Sequence, residues 1–280
     1  MDEKKYLLTI ESSKIKLGLD RIKHLLKYCG NPHNNLRIIQ IVGTNGKGST
    51  SAMIAKILEC AGYKTGLFTS PHLINVNERI RINGKTINDT EIQNFIKKYK
   101  KYIESLSVSF FECITALGLW YFKKNNVDFA IMETGLGGRL DSVSICNPIL
   151  IIVTSISMDH NEILGDTLTK IAKEKAGAFK PNITCISAKQ KTAVFTVLKN
   201  MAKKLNNKLI TVSSSSTKYK PALGGSFQQQ NAYLAEAAIK ELKLNINEKF
   251  IIKGIEETIW HGRNQIISMK PLIIFDVAHN

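Results

Sequence analysis

The stretch Val42-Gly43-Thr44-Asn45-Gly46-Lys47-Gly48-Ser49-Thr50 sets three glycines, a lysine and two adjacent hydroxyls inside nine residues. An apolar run, Ile38-Ile39-Gln40-Ile41-Val42, enters it, and Met53, Ile54, Ile57, Leu58 and Ala61 leave it at helical spacing before Gly62. Strand, glycine turn, lysine, hydroxyl and helix together make a phosphate cradle. Backbone N–H groups close around phosphate oxygens where glycine allows, and the helix N-terminus adds partial positive charge. Lys47 is then placed to neutralise β- and γ-phosphates, and Ser49 or Thr50 to reach a magnesium ion. The spacing departs from G-x-x-x-x-G-K-[ST], which would put glycine at position 41 and a hydroxyl at 48, where Ile41 and Gly48 stand. A glycine-rich turn alone is often no more than a tight turn. The strand before it and the helix after it favour the cradle.

Other chemistry-bearing residues fall just past apolar runs. Gly66-Leu67-Phe68 leads to Thr69-Ser70-Pro71-His72, and Phe129-Ala130-Ile131-Met132 leads to Glu133 and the glycine loop Gly135 to Asp141. Ile149 to Thr154 leads to Ser157-Met158-Asp159-His160. Open α/β sheets bind ligands at the carboxyl ends of their strands, and an acid there followed by a flexible loop is the Walker-B arrangement. A lone histidine in such a place is more often structural; its company raises its interest. Lys175 closes a helix and by itself reads as a cation favourable to the helix dipole. Only six of 39 basic residues are arginine, and four of these, Arg79, Arg81, Arg139 and Arg263, lie in motif-like stretches where a planar fork has a use lysine cannot serve.

These residues need a scaffold, and the pattern supplies one. Residues 1–37 read as a helical segment ended by Gly30-Asn31-Pro32, with Asp20 in a first turn. Asn83-Gly84 between Arg79-Ile80-Arg81-Ile82 and Lys85-Thr86-Ile87 reads as a hairpin. Helices are expected from Asp89, over Phe110–Phe122, over Thr167–Lys175 with Asp166 as cap, near Thr192–Leu205, from Gln228, and over Glu248–Thr258. Strands alternate with them at 183–186 and 209–212, and 213–217 reads as a loop. A last strand, Leu272 to Phe275, carries Asp276 and His279 at its end. This βα alternation predicts an α/β fold with a largely parallel sheet covered on both faces.

Composition bounds the rest. The 280 residues are 44% hydrophobic and 22% charged, values of a globular chain, and no apolar run reaches membrane-spanning length. Five scattered cysteines without a C-x-x-C pair suggest neither a disulfide framework nor a zinc site, and a charged N-terminus lacks a secretion signal. A cytoplasmic location is the expectation. The +16 formal charge rests mainly on lysine pairs at helix-surface spacing, with no interleaved aromatic and arginine run, so neither nucleic acid nor a membrane is expected as partner.

Taken in order, Gly43 to Ser49, Thr69-Ser70-Pro71-His72-Leu73 with Glu78 to Arg81, Glu133 to Asp141, Met158-Asp159-His160, Glu174 to Gly177, Gln228 to Asn231, and Asp276 to Asn280 resemble the folylpolyglutamate synthase/dihydrofolate synthase family of the Mur ligase superfamily. The resemblance implies a P-loop-containing Mur-ligase central domain over 1–265. It also implies that 266–280 are a linker and the first strand of a truncated Rossmann-like C-terminal domain. It implies a ligase that uses ATP to activate a dihydropteroate or tetrahydrofolate carboxylate as an acyl phosphate, which the amine of L-glutamate then attacks.

By the same resemblance Thr44, Asn45, Gly46, Lys47, Gly48, Ser49, Asn231, Arg263 and Asp276 contact ATP. Ser49, Ser70, Glu133 and His160 hold magnesium, two ions in all, with Lys175 as a carbamate. Lys47, Lys175 and His279 serve catalysis. Gly18, Leu19, Asp20, Phe111, Glu112, Leu140, Asp141 and Ser142 surround the pterin. The family tends to read Leu-Asp-Ala-Thr-Asn where this chain has Leu140-Asp141-Ser142-Val143-Ser144. A monomer is implied. The competing readings are another Mur-type amino-acid ligase and a nucleotide-binding remnant without ligase activity.

Overall fold

Strand β1 (Ile38–Val42) is buried along its whole length, as a strand in the middle of a two-face-covered sheet must be. The computed structural model describes residues 6, 7, 9, 10, 16–213 and 218–277. Around β1 an eight-stranded sheet runs in the order β4-β3-β2-β5-β1-β6-β7-β8. Its other members are β2 (Thr65–Phe68), β3 (Ile80–Ile82), β4 (Lys85–Thr86), β5 (Phe129–Glu133), β6 (Leu150–Val153), β7 (Cys185–Ala188) and β8 (Leu209–Val212). Six strands are parallel; β3 and β4 form the expected hairpin and run antiparallel at one edge. Its turn residues take positive φ, 45° at Asn83 and 75° at Gly84, the geometry that suits an Asn-Gly turn.

Helix α1 spans Asp20–Tyr28, α2 Lys47–Cys60, α3 Asp89–Ser105, α4 Phe110–Lys124, and α5 is a single turn, Asn161–Leu164. Then come α6 (Leu168–Ala176), α7 (Thr192–Lys204), α8 (Phe227–Glu241) and α9 (Glu248–Glu256). Side chains alternate across the sheet, so Ile38, Ala130 and Met132 pack with α1, α3 and α4, while Ile39, Ile41 and Ile131 pack with α2, α8 and α9. A third cluster joins Val42, Ile151 and Val153 to α6 and α7. All five cysteines are free thiols.

Three sequence expectations change in detail. The N-terminal segment is helical at residues 6, 7, 9 and 10 and again from Asp20, and breaks at Gly30 and Asn31 into a 3-10 turn, Pro32–Asn35. Thr167, not Asp166, caps α6: its hydroxyl accepts from Lys170 N at 3.3 Å, and Asp166 pairs with the Lys170 amine at 2.9 Å instead. The tail carries two strands where one was expected. β10 (Leu272–Phe275) pairs antiparallel with β9 (Gln265–Met269), so the start of the supposed linker is itself a strand, and most apolar side chains of the hairpin are exposed. The loop expected at 213–217 falls, beyond Ser213, outside the described residues.

Candidate functional site

Strand order decides where the site lies. From β1 the chain crosses to β2 and β5 on one side, and then to β6, β7 and β8 on the other. The carboxyl end of β1 is therefore a topological switch point, where a crevice opens between diverging loops. Register brings these loops level: Ile41 pairs with Glu133, Val42 with Val153, and Phe68 with Met132. The carboxyl end of β5 carries Glu133, and the segments after β1, β2 and β6 carry the Lys47 loop, Ser70 and His160.

The Lys47 loop is fastened to the segment after β6. Thr44 N and Asn45 N donate to Ser155 O at 2.8 and 3.2 Å, and Thr44 Oγ1 donates to Ser157 O at 3.2 Å. Gly46 lies at φ 87° with the Asn231 carboxamide against its Cα, so a side chain there would be both strained and obstructed. Lys47 opens α2 and its amine donates to Thr44 O at 3.0 Å, folded over its own loop. A helix N-terminus without a side-chain cap and a lysine above it is what a phosphate group needs. Of the two hydroxyls, Ser49 Oγ is reached by Gln228 Nε2 at 3.3 Å, and Asn231 Nδ2 donates to Gln228 Oε1 at 2.8 Å. Thr50 is buried within the helix.

Glu133 stands at the end of β5 with 2% of its surface exposed. Its carboxyl accepts Ser70 N at 3.2 Å, and the charges of Lys47, Arg263 and Arg79 bear on it. Burial pushes its pKa up to about 7 against those cations and that N–H. Lys175 is 3% exposed and donates to Gly43 O at 2.6 Å. Burial, with the nearby Lys47 charge, lowers its pKa to about 7, while Asp159 and Asp141 act the other way. The helix-end lysine is thus a buried amine facing the phosphate loop.

The magnesium candidates are brought together unevenly. Glu133 and the Ser70 backbone touch, and the side of Gly48 faces Glu133 and Trp260. His160 takes φ 47° ahead of α5, with its ring 3.6 Å from Asp159 and no contact to Glu133 among the described residues. Among the described residues no three His, Cys, Asp or Glu side chains form a metal cage. Magnesium does not require one, since it is held through one or two carboxylates with water and phosphate oxygens. A single carboxylate beside hydroxyls and a phosphate cradle fits that habit.

The pterin-side candidates fall at the starts of α1 and α4 and on the loop after β5. Glu112 is buried, and its Oε2 accepts Ser109 N and Oγ at 2.8 and 2.7 Å and Arg21 Nε at 3.0 Å. It thereby ties the segment of Gly18, Leu19 and Asp20 to α4. Phe111 lays its ring against Gly135, which explains the glycine there and joins α4 to the loop. Asp141 is engaged inward: it accepts Gly135 N and Leu136 N at 2.8 Å each and Val143 N at 2.9 Å. Burial still raises its pKa to about 6. Ser144, at a position where the chain departs from the family pattern, accepts Gln40 Nε2 at 2.8 Å in the interior. Leu140 and Ser142 flank Asp141 on the same loop.

The remaining nucleotide candidates lie beside the hairpin. Asn264 N donates to Asp276 Oδ2 at 2.7 Å, Val277 N donates to Gly262 O at 3.1 Å, and Arg263 bears on Glu133. His279 lies outside the described residues.

Comparison with known proteins completes this geometry. The family model of the Mur ligase middle domain matches residues 41–250. The dihydrofolate synthase/folylpolyglutamate synthase of Bacillus subtilis is 36% identical over 300 residues, covering 95% of this chain and 70% of that protein. The chain belongs to this family of Mur ligases. The probable bifunctional folylpolyglutamate synthase/dihydropteroate synthase of Haloferax volcanii is 30% identical over 98% of this Mur ligase chain, which spans only 36% of that protein's length. Two solved structures share the fold. An FPGS–AMPPCP–folate complex is 30% identical with a TM-score of 0.92, covering 100% of this chain and 77% of that one. E. coli FolC in complex with DHPP and ADP is 32% identical with a TM-score of 0.91, covering 100% and 72%.

Sequence reasoning passed over Gln228, Asp159 and Trp260 as site residues. Gln228 and Asp159 lie within the motifs Gln228 to Asn231 and Met158 to His160 without having been given a role, and Trp260 precedes His261-Gly262-Arg263.

Proposed function

We propose that this Mur ligase chain forms the nucleotide and pterin walls of a ligase that joins L-glutamate to dihydropteroate or tetrahydrofolate at the expense of ATP. The observation that carries the reading is the placing of Lys47 between two buried groups at the switch point, Glu133 and Lys175, on both of which its charge bears. The relatives being folylpolyglutamate and dihydrofolate synthases, and the AMPPCP with folate and the DHPP with ADP in the two similar structures, support the substrate class.

The chemistry follows from charge. A pteroate carboxylate oxygen attacks the γ-phosphorus of ATP, the bond to the β-phosphate bridge breaks, and ADP leaves. The glutamate amine then attacks the acyl carbon, loses its proton and expels phosphate. The first step drives an anion toward a polyanion, so cations and oriented N–H groups supply most of the stabilisation. The N–H groups of residues 46–49 and the Lys47 amine hold the phosphates. Ser49, Ser70, Glu133 and His160 would hold magnesium, which screens phosphate charge when bound. Asn231, Arg263 and Asp276 line the nucleotide, and Gly18 to Asp20, Phe111, Glu112 and the Leu140–Ser142 segment frame the pterin.

Lys175 has a further task. An amine with a pKa of about 7 is largely unprotonated in a mildly alkaline cell. It can add to carbon dioxide, releasing a proton and leaving a carbamate anion in place of a cation beside Gly43. A monomer in the cytoplasm completes the reading. The test is product analysis by mass spectrometry after incubation with ATP, magnesium, L-glutamate and either dihydropteroate or tetrahydrofolate. Glutamylated product and ADP are expected together. Turnover of a UDP-linked muramyl substrate instead, or nucleotide binding without affinity for either pterin, would contradict it.

A further inference from the structure

A cavity of ≈ 230 Å³ lies between the end of α1, the turn at Pro32, and helices α3 and α4, and three lysines line it: Lys98, Lys123 and Lys124. Lys124 is already paired, its amine donating to the two Glu91 carboxylate oxygens at 2.7 and 2.9 Å. Lys98 and Lys123 are exposed and meet no carboxylate among the described residues. Three ammonium groups less one carboxylate leave about two positive charges over one hollow. Lys123 and Lys124 stand in the last turn of α4, where the helix dipole favours cations without any ligand. Lys98 lies within α3 and has no such account.

Beneath the lysines the wall is aromatic. Tyr99 and the half-buried Trp120 line the cavity, and Phe95 packs against both with ring centroids 4.9 and 5.5 Å away, which fixes the two rings. The Lys98 and Lys124 amines stand 5.3 and 5.1 Å from the Tyr99 and Trp120 centroids. Cys29 and Pro32 complete the wall; burial pushes the Cys29 thiol up to about 12, so it is an uncharged packing group at neutral pH. A cavity of roughly 150 Å³ takes benzene, and drug-sized sites begin at roughly 300 Å³. The space therefore suits one ring with a short substituent. It is also remote from the site described above. Helices α1 and α4 begin at the pterin wall, where Arg21 meets Glu112, and the cavity lies at their other ends. Helical rise alone sets Lys123 about 18 Å from Phe111. The layer of α1, α3 and α4 lies across the sheet from α2 and its Lys47 loop.

We infer that this cavity is a second ligand site, for a small aromatic phosphate monoester. The ring lies against Tyr99 and Trp120, and the phosphate oxygens accept from the Lys98 and Lys123 amines. A phosphate monoester carries about −1.5 to −2 near neutral pH, the complement of the two uncompensated cations. A carboxylate on the same ring brings about half that charge, and inorganic phosphate brings the charge without a ring. No bond is made or broken. The inference stands independently of the ligase reading, since it uses neither the Lys47 loop nor the pterin wall.

Calorimetric titration of the intact chain with phenyl phosphate decides the matter, with a non-hydrolysable ATP analogue present at saturation so that the phosphate loop is filled. Saturable binding of one phenyl phosphate is expected, at least fivefold tighter than benzoate or inorganic phosphate. The double variant Lys98→Ala, Lys123→Ala changes two exposed side chains and is expected to weaken phenyl phosphate at least tenfold while the affinity for the ATP analogue holds. Trp120→Leu is expected to weaken phenyl phosphate several-fold and leave inorganic phosphate unchanged, a split that general loss of structure does not produce. Absence of saturable binding, equal affinity in wild type and the double lysine variant, or benzoate or inorganic phosphate binding as tightly overturns the inference. A phosphotyrosine peptide binding more tightly than phenyl phosphate also overturns it, because the ligand would then be a protein segment and not a small molecule.

Discussion

At the scale of single residues, Lys175 shows how burial changes a side chain's chemistry. Its pKa of about 7 lies below its ordinary value of 10.5. The unfolded chain therefore binds more protons between those values, and wild-type stability rises with pH through that window. The slope is at most ~1.4 kcal/mol per pH unit. Lys175→Met lacks the linkage, so thermal melts at pH 7 and pH 9 are expected to move the stability difference in favour of wild type at the higher pH. A difference independent of pH would show that the amine titrates normally. Gly46 makes a steric prediction. Placing a methyl group at φ 87° against Asn231 costs on the order of 1–3 kcal/mol. Gly46→Ala is expected to weaken binding of an ATP analogue more than tenfold by calorimetry while most of the fold survives by circular dichroism. Unchanged affinity would mean the loop does not close on phosphate.

At the scale of elements, the site is a meeting of loops, and what unites them is hydrogen bonding between distant segments. Gln228 on α8 reaches Ser49 on α2, and Asn231 holds Gln228 in turn. Gln228→Ala removes a buried bond worth about 1 kcal/mol and frees the Ser49 hydroxyl. The magnesium dependence of nucleotide binding is expected to shift several-fold, with magnesium-free ADP affinity nearly unchanged. Equal losses with and without magnesium would assign Gln228 to packing alone. Element identity was legible in the sequence because the patterns are local: the strand-turn-helix around Lys47, the Asn83-Gly84 turn, and the alternation up to Val212. What escaped was contact between segments. Asp141 reads as a loop acid, yet its oxygens serve the amides of Gly135, Leu136 and Val143. The strand Gln265–Met269 carries a weak pattern and exists because β10 pairs with it.

At the scale of the whole molecule, one sheet separates two helical layers, and the carboxyl ends of β1, β2, β5 and β6 bring the four chemical segments to one rim. Family membership was legible because seven short motifs occur in one order. Their distances were not, since a buried amine and a raised carboxylate are properties of the packed state. No helix among the described residues is long and apolar enough to cross a membrane. The central claim is that this rim holds two separable ligands, a nucleotide at the Lys47 loop and a pterin at Phe111 and the Asp141 loop. Calorimetric titration of a non-hydrolysable ATP analogue and of dihydropteroate into wild type, Lys47→Ala and Phe111→Ala tests it most directly. Lys47→Ala is expected to lose nucleotide affinity at least tenfold and keep dihydropteroate, and Phe111→Ala the reverse. Nucleotide binding undiminished in Lys47→Ala would contradict the account.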